Sequence, residues 1–158
     1  MRVSIALPGN LSATWRASGR PVRQAIELLQ RARRPVIIAG NGAYSVSGDD
    51  LQRLIDVTRI PLFTEEAARG LVPDDHPYCV GYADGRLCDA PALLHTADVL
   101  LLLLGKKLDF MVSYGDPPML DRDVRIIQVE PAADLIGGPR GVDVAVVGDV
   151  GAVVRQLT

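Results

Sequence analysis

The sequence predicts an α/β domain with a Rossmann-like, three-layer architecture, in which a mainly parallel sheet has helices on both faces. Two patterns support this fold class. Short, continuous apolar runs such as "PVIIAG" and "DVLLLLLG" are typical of strands that are buried on both faces of a sheet. Amphipathic helical segments separate these runs, and such alternation indicates βαβ units with right-handed crossovers.

The first predicted helix leads into the first predicted strand. Pro21 suits a first helical position, and Ser18 just upstream is its candidate cap. Arg33 and Arg34 are expected in the final turn, where cations offset the helix dipole, and Pro35 ends the helix. The run "PVIIAG" then forms a strand.

A second helix and strand follow, and then a stretch with less regular structure. Ser47 and Asp50 have the spacing of a capping box at the start of "SGDDLQRLIDV". The run "IPLFT" predicts a strand, and "EEAARG" predicts one or two helical turns that Gly70 closes. The Pro, Asp and Gly content of "LVPDDHPYCVGYADG" predicts a loop.

The second half of the chain continues the same alternation. The segment "CDAPALLHTA" predicts a helix with Leu93, Leu94 and Ala97 facing inward. Strands are expected at "DVLLLLLG", "VRIIQVE" and "VDVAVVG". The last helix lies in "DVGAVVRQLT", and Asp149 is expected to cap it.

Length and composition indicate one domain with a substantial core. The chain has 158 residues, of which 48% are hydrophobic, and its net charge of −2 does not indicate a nucleic-acid partner. Residues 99–104, the longest apolar run, are too few to span a membrane. Two cysteines make no disulfide framework, and no secretory signal is evident, so we expect a cytoplasmic protein. Residues 1–19 are interpreted as an N-terminal strand and linker, and residues 20–158 as the domain.

Four turns follow predicted strands at the edge where parallel sheets bind ligands. The first contains Gly40, Asn41 and Gly42, which supply only the first two glycines of a GxGxxG dinucleotide fingerprint. The next helix signal begins late, at Ser47, so a standard NAD fingerprint fails. Two interpretations stay open: the glycines let the backbone approach a nucleotide, or they form a tight turn that needs positive φ.

The other turns carry polar or charged side chains. Residues 64–66 form one of them. Lys106 and Lys107 follow the most apolar strand and are suited to neutralise a pyrophosphate, while Asp109 can accept hydrogen bonds from a sugar hydroxyl. Glu130 ends a strand, where it can bind ribose hydroxyls or nearby loop N–H groups. A solvated, structural turn remains the alternative at the lysines.

The histidines and cysteines predict no catalytic or metal residue. His76 lies beside Asp74 and Asp75, but this spacing is not that of a firm metal site. His95 is interpreted as a packing or surface residue. No Ser-His-Asp or Cys-His arrangement is signalled by the local sequence.

An ordered set of segments suggests a family. These segments are "ARRPVIIAGNGA", "IPLFTEEAARGLVPDDHPYCVGYAD", "TADVLLLLLGKKLD", "RIIQVEP" and "VDVAVVGDV". Together they resemble the central domain of thiamine-diphosphate-dependent enzymes such as acetolactate synthase, oxalyl-CoA decarboxylase, benzoylformate decarboxylase and pyruvate oxidase. The preceding "VSIALPGNL" resembles the exit from the pyrimidine-binding domain of these enzymes. We therefore expect an excised or truncated central domain.

The resemblance implies partners and ligands. Family members usually join pyrimidine-binding, central and diphosphate-binding domains and form oligomers, with thiamine diphosphate and magnesium between the first and third domains. In some members the central domain binds FAD or ADP. By resemblance, such a nucleotide would contact Gly40, Asn41, Gly42, Thr64, Gly81, Tyr82, Gly105, Lys106, Lys107, Asp109, Glu130 and Asp149.

Departures from the family pattern refine this expectation. Lys107 stands where the family often has Arg, and Lys cannot form a bidentate fork on phosphate; Glu130 stands where FAD-binding members more often have Asp. Both departures count against nucleotide binding, and we expect weak or no FAD binding, with ADP-like ligands the better candidates. The magnesium–diphosphate motif, a Gly-Asp-Gly with a later Asn, is missing, because no Gly-Asp pair continues to Gly and no Asn lies beyond Asn41.

The sequence therefore predicts a non-catalytic central domain, structural or nucleotide-binding, from a thiamine-diphosphate enzyme that acts on 2-oxo acids or acyl-CoA relatives. One alternative is a stand-alone FAD- or ADP-binding module. Another is a small NAD-linked enzyme of unrelated type, which the failed fingerprint and the lack of an evident acid–base pair disfavour.

Overall fold

A computed structural model describes residues 19–84, 91–103 and 108–158. Within them, six strands form one sheet, and four α-helices and four short 3₁₀ helices connect the strands. The strands are β1 Pro35–Ala39, β2 Leu62–Thr64, β3 Cys79–Gly81, β4 Val99–Leu103, β5 Arg125–Glu130 and β6 Val144–Val147; the α-helices are α1 Gly19–Arg31, α2 Gly48–Thr58, α3 Pro91–His95 and α4 Val150–Leu157; the 3₁₀ helices are Asn41–Ser45, Glu66–Ala68, Phe110–Gly115 and Ala133–Leu135.

The sheet order is β3-β2-β1-β4-β5-β6, and every neighbouring pair is parallel. This is the strand order of the Rossmann fold, in which the direction of strand addition reverses beside the first strand. The predicted fold class is therefore confirmed. The reversal lies between β1 and β4, at the centre of the sheet.

Helices cover both faces of the sheet. Along β1, Ile37 packs in one core cluster together with side chains of α1, α2 and α4. The next residue, Ile38, packs in a second cluster on the opposite face, with Leu94 of α3 and Val112 of the 3₁₀ helix after β4. Both isoleucines are fully buried. Burying such a side chain stabilises the fold by about 1.5–3 kcal/mol, which explains the unbroken apolar runs of the central strands.

The predicted Ser47 cap of α2 is present, but Asp50, the other residue of the expected capping box, binds a different partner. The Ser47 hydroxyl accepts a hydrogen bond from the Asp50 N–H at 3.1 Å. The Asp50 carboxylate binds the Arg155 guanidinium of α4 at 2.8 Å. The start of α2 is thus joined to the last helix of the chain, a contact that the local capping pattern does not show.

The end of α1 differs from the prediction. The helix ends at Arg31, so Arg33 and Arg34 do not lie in its final turn. The Asp98 carboxylate accepts hydrogen bonds from the backbone N–H groups of both residues, at 2.7 and 2.9 Å. A residue before Pro35 also avoids the helical conformation. The N–H groups of Arg33 and Arg34 therefore bond to Asp98, directly before β4, and do not continue the hydrogen bonds of α1.

Two further predictions need correction. The segment expected to be a loop contains the short strand β3, which pairs with β2 at Leu62↔Cys79 and Phe63↔Gly81. Leu93, expected to face inward, is 45% exposed, whereas Leu94 is fully buried. Successive residues on a helix point about 100° apart, so one short turn can direct only one of these leucines at the sheet.

Gly48 allows the start of α2 to approach the loop that follows the 3₁₀ helix Glu66–Ala68. A Cβ at this position would clash with the Leu71 carbonyl oxygen. We expect Gly48→Ala to lower the free energy of unfolding by about 1–3 kcal/mol, because backbone must move to relieve the overlap. Urea denaturation measures the change. The matched control is Gly141→Ala, since a Cβ there meets nothing within 4 Å; equal stability of the two variants would contradict the prediction.

Asp98 should make stability depend on pH. Desolvation acts to raise the pKa of Asp98, but the Arg33 and Arg34 N–H donors and the Arg34 charge outweigh it and lower that pKa. A carboxyl whose pKa is lower in the folded state stabilises above its unfolded pKa of about 3.9, and this contribution is lost as pH falls through the folded pKa. We expect Asp98→Asn to cost about 1–2 kcal/mol at pH 7 and progressively less below pH 4.

The test for Asp98 is urea denaturation of both proteins between pH 2.5 and pH 7. Asp134→Asn is the control, because it removes the same charge from an exposed carboxylate. A stability difference between wild type and Asp98→Asn that stays constant over this range would show that the carboxylate charge contributes nothing.

Candidate functional site

The candidate site is the carboxyl edge of the sheet, at the reversal of strand order between β1 and β4. Open parallel sheets bind ligands at such a reversal of strand order. Three of the predicted site residues, Gly105, Lys106 and Lys107, lie outside the described residues. Asp109 lies six residues beyond the end of β4, at the start of the 3₁₀ helix Phe110–Gly115. The structure places the others at strand ends on this edge or within three residues of them: Gly40, Asn41, Gly42, Thr64, Gly81, Tyr82, Glu130 and Asp149.

The glycine turn after β1 has ordinary backbone angles. Gly40 is extended, with φ −114° and ψ −156°, and neither it nor Gly42 is among the glycines with positive φ. The interpretation of a turn that needs positive φ is therefore wrong for this turn. The chain passes directly into the 3₁₀ helix Asn41–Ser45, which the sequence pattern did not reveal. Gly40 is buried and Gly42 is half-buried, so the backbone of this turn packs against its neighbours.

Asn41 connects this turn to the neighbouring one. Its side-chain Oδ1 accepts a hydrogen bond from the Ala67 N–H at 3.2 Å. The Ser45 hydroxyl donates to the Gly42 carbonyl at 3.0 Å within the turn itself. The side chain of Asn41 therefore holds the loops after β1 and β2 together, and its amide oxygen is used in a structural contact.

The end of β2 buries polar side chains. Thr64 is 1% exposed and Glu65 is fully buried, and the Glu65 N–H donates to the Ala39 carbonyl at 2.8 Å. The Thr64 hydroxyl is buried and has no hydrogen-bond partner among the described residues. Burying a carboxyl group is costly, so Glu65 is a prominent polar feature of this edge. Sequence reasoning placed Glu65 in the candidate turn 64–66 but assigned a ligand contact there only to Thr64.

Tyr82 bridges three loops. It follows Gly81, whose φ of +112° is a conformation that glycine adopts readily. The Tyr82 hydroxyl lies 3.9 Å from the Met111 sulfur in the loop after β4. The Arg69 guanidinium, from the loop after β2, lies 5.8 Å from the centre of the Tyr82 ring. The ring therefore packs between loops that the sequence separates widely.

The loop after β4 is strained and capped. The Asp109 carboxylate accepts a hydrogen bond from the Met111 N–H at 2.9 Å, and the Asp109 carbonyl accepts one from the Tyr114 N–H at 2.7 Å. Ser113 and Tyr114 both have left-handed backbone angles, with φ of 51° and 54°. Non-glycine residues rarely adopt this region, and such strain persists only where surrounding contacts enforce it.

The acidic residues at the end of β5 and directly before α4 also form hydrogen bonds within the fold. Glu130 is fully buried, and its Oε1 accepts a hydrogen bond from the Gln128 side chain at 3.3 Å. The Asp149 carboxylate accepts the Ala152 N–H at 2.8 Å, which confirms the predicted cap of α4. A contact between Glu130 and a ribose hydroxyl remains a prediction.

The titratable residues near β3 bind within the fold. The His76 Nε2 lies 2.9 Å from the Asp56 Oδ1 of α2, and the Tyr78 N–H donates to the His76 Nδ1 at 3.2 Å. Burial raises the pKa of Cys79, so its thiol stays protonated at neutral pH. Across residues 19–84, 91–103 and 108–158, no three His, Cys, Asp or Glu side chains are grouped as a metal site requires.

None of the helices in the described part of the chain is both long enough and apolar enough to cross a membrane.

Comparisons with known proteins agree with this architecture. The family model described as thiamine pyrophosphate enzyme, central domain, matches residues 22–157. The chain is 35% identical over 134 residues to 2-hydroxyacyl-CoA lyase 1 of Mus musculus, which covers 84% of this chain and 22% of the relative. It is 33% identical over 156 residues to an acetolactate synthase of Mycobacterium avium, which covers 97% of this chain and 24% of the relative.

A solved structure shares the fold. It is described as a candidate thiamin diphosphate-dependent enzyme from Mycobacterium smegmatis, and it superposes with a TM-score of 0.75 at 18% identity. The match covers 96% of this chain and 29% of that one. The chain thus spans less than a third of each of these three proteins.

Proposed function

We propose that this chain, which belongs to the family of thiamine pyrophosphate enzyme central domains, is a non-catalytic, structural domain. It would form the centre of a longer thiamine-diphosphate-dependent enzyme. Its partners would be pyrimidine-binding and diphosphate-binding sister domains, and a second copy of the assembly. The relatives named above are a 2-hydroxyacyl-CoA lyase and an acetolactate synthase. They support a parent enzyme that acts on 2-oxo acids or acyl-CoA compounds.

One observation supports a structural role most directly. Polar side chains at the carboxyl edge of the sheet accept hydrogen bonds from backbone N–H groups: Asn41 from Ala67, Asp109 from Met111, and Asp149 from Ala152. These bonds fix the loops after β1, β4 and β6. A side chain that holds a loop in this way stabilises the scaffold.

The described residues do not fit a magnesium–diphosphate site. Magnesium needs several converging oxygen ligands, and no such acidic group exists among them. Of the three Gly-Asp pairs, the one at Gly148 ends in Asp149, which caps α4. Asp116 follows Gly115 and donates its N–H to the Ser113 carbonyl. We assign the thiamine diphosphate and its metal to the sister domains, and no step of the reaction is placed on this chain.

We expect the isolated chain to bind no thiamine diphosphate in the presence of magnesium and to show no decarboxylation of pyruvate. Isothermal titration calorimetry with both ligands checks the first point, and a coupled assay checks the second. The full-length parent, measured under the same conditions, is the positive control. Magnesium-dependent binding to the isolated chain at micromolar affinity would contradict the proposal.

We also propose that the carboxyl edge of the sheet, at the reversal between β1 and β4, accepts an adenine nucleotide of the ADP type. Two observations support it: the Rossmann strand order and the extended Gly40, which has no Cβ. Lys106 and Lys107 follow β4 in the sequence and would supply cations for the diphosphate. FAD should bind weakly or not at all, because the isolated domain lacks neighbours that would bury a flavin.

A substitution at Gly40 tests the nucleotide proposal. Gly40 is extended and buried, so Gly40→Val adds bulk at the turn without forcing positive φ, and it is expected to lower stability as well. We expect ADP affinity to fall by about tenfold or more, the loss expected when a charge-assisted hydrogen bond is displaced. Lys106→Ala/Lys107→Ala should reduce ADP affinity by a similar factor. Titration of ADP and of FAD against each variant gives the values.

The control is Gly141→Val, at an exposed position before β6. It should bind ADP as the wild type does, and thermal unfolding of all variants separates loss of binding from loss of fold. Unchanged ADP affinity in both Gly40→Val and the lysine variant would refute the proposed site. A yellow, stoichiometric flavin complex on purification would refute the preference for ADP.

A further inference from the structure

Asn41 and Gly42 form a chemically reactive pair in the turn after β1. The chain has two asparagines, Asn10 and Asn41, and only Asn41 is followed by a glycine. The backbone nitrogen of a following residue can attack the asparagine side-chain carbonyl, and a glycine leaves that nitrogen open because it has no Cβ. Asn41 is exposed, so water reaches its side chain. The turn therefore carries a sequence that is prone to lose its side-chain amide.

The reaction needs no partner except water. The Gly42 nitrogen forms a bond to the Asn41 Cγ, and the bond from Cγ to Nδ2 breaks. The Nδ2 group leaves as ammonia and takes the proton of the Gly42 N–H with it. Water then opens the resulting five-membered succinimide at either carbonyl. One opening gives aspartate, and the other gives isoaspartate, in which the main chain passes through the former side chain and is one carbon longer.

The native conformation of the turn opposes ring closure. The ring brings the Asn41 Cβ and the Gly42 nitrogen to the same side of the Cα–C bond, whereas a 3₁₀ helix, with ψ of about −20 to −30°, holds them apart. Asn41 begins the 3₁₀ helix Asn41–Ser45. The bond from the Ala67 N–H to the Asn41 Oδ1, at 3.2 Å, also directs the side chain toward the loop after β2. Attack therefore requires the turn to open.

Few contacts keep the turn closed. The Ser45 hydroxyl donates to the Gly42 carbonyl at 3.0 Å, and the Ala43 N–H donates to the Gly40 carbonyl at 2.9 Å. Asn41 and Ser45 are exposed, whereas Ala43 is fully buried and anchors the turn in the core. Exposed segments with few contacts open at much lower free energy than the whole domain unfolds. The turn can thus open while the sheet stays intact.

We propose that Asn41 is a deamidation site, that local opening of the turn after β1 sets its rate, and that the isoaspartate product releases this turn from the loop after β2. The two products differ at the Ala67 N–H. Aspartate keeps an oxygen at the same distance from the main chain, so it still accepts this hydrogen bond. Isoaspartate displaces its carboxylate and lengthens the main chain, so the Ala67 N–H loses its acceptor.

Four variants of the full chain test the proposal. Asn41→Gln keeps the amide but moves its carbonyl one carbon beyond the reach that a five-membered ring requires. Asn41→Asp represents the aspartate product. Ser45→Ala removes the bond to the Gly42 carbonyl. Its matched control is Thr96→Ala, because the Thr96 hydroxyl makes the same kind of bond, to the Leu93 carbonyl at 3.0 Å, at an exposed position after α3.

Each folded protein is incubated at a mildly alkaline pH, and mass spectrometry of the peptide that contains Asn41 follows the exchange of NH₂ for OH. We expect the wild type to react about tenfold or more faster in unfolding concentrations of urea, because the turn is then open. Ser45→Ala should react about three- to tenfold faster than wild type when folded, the factor that loss of one hydrogen bond gives. Thr96→Ala should match wild type, and Asn41→Gln should not react.

Amide hydrogen exchange tests the consequence for the two loops. Aged wild-type protein is separated by charge and by isoaspartate content, and exchange of the Ala67 N–H is compared with that in fresh protein. We expect about tenfold or more faster exchange in the isoaspartate form, and near-native exchange in the aspartate form and in Asn41→Asp. If Ser45→Ala fails to fold, wild type in urea below its unfolding transition supplies the same comparison of an opened turn with a closed one.

Four results overturn the proposal. Absence of the mass change in unfolded wild type shows that Asn41 is not a deamidation site. Equal rates in folded and unfolded wild type show that the turn does not restrain the reaction. Equal acceleration in Ser45→Ala and Thr96→Ala shows that opening of this turn does not set the rate. Native exchange of the Ala67 N–H in the isoaspartate form shows that the product does not release the loops.

Discussion

The pairing of β1 with β4 is the constraint on which the rest of the structure depends. These strands pair along their whole length, from Pro35↔Val99 to Ala39↔Leu103. Their neighbours bury them on both sides, so their backbone groups must pair with each other and their side chains must pack on two faces. At the amino end, Asp98 binds two backbone N–H groups before β1. The chain entering the first strand is thereby fixed to the start of the fourth.

The same pairing sets the place of the candidate site. Because β2 adds on one side of β1 and β4 on the other, the strand order reverses at the centre of the sheet, where parallel sheets bind ligands at the carboxyl edge. The Asn41 side chain bonds the β1 loop to the loop after β2, and Asp109 and Arg140 bond to the strained segment that contains Ser113 and Tyr114. The sheet determines where the candidate site lies, and a few side-chain bonds to backbone fix the loops beside it.

The proposed role, a structural domain within a longer enzyme, fits this arrangement. The described polar side chains at the sheet edge are largely used to hold loops, and the family to which the chain belongs is defined as a central domain. Under the proposed role, the domain must keep the surfaces that face its sister domains in fixed relative positions. Capped helices, a fully paired sheet centre and restrained loops supply that rigidity through many small contributions, each about 0.5–2 kcal/mol.

The sequence by itself determined the fold class, most of the elements and the Asp149 cap, because apolar periodicity and capping are local properties that neighbours in the chain share. It also placed Gly40, Thr64 and Glu130 at strand ends on the carboxyl edge, since strand ends follow from the same pattern. Tertiary structure decided the rest. The end of α1 depends on Asp98, 64 residues beyond Arg34; β3 forms only because β2 offers it a ladder; the loop after β4 depends on Arg140, 25 residues beyond Gly115. Such partners lie far apart in the chain, so no local pattern can reveal them.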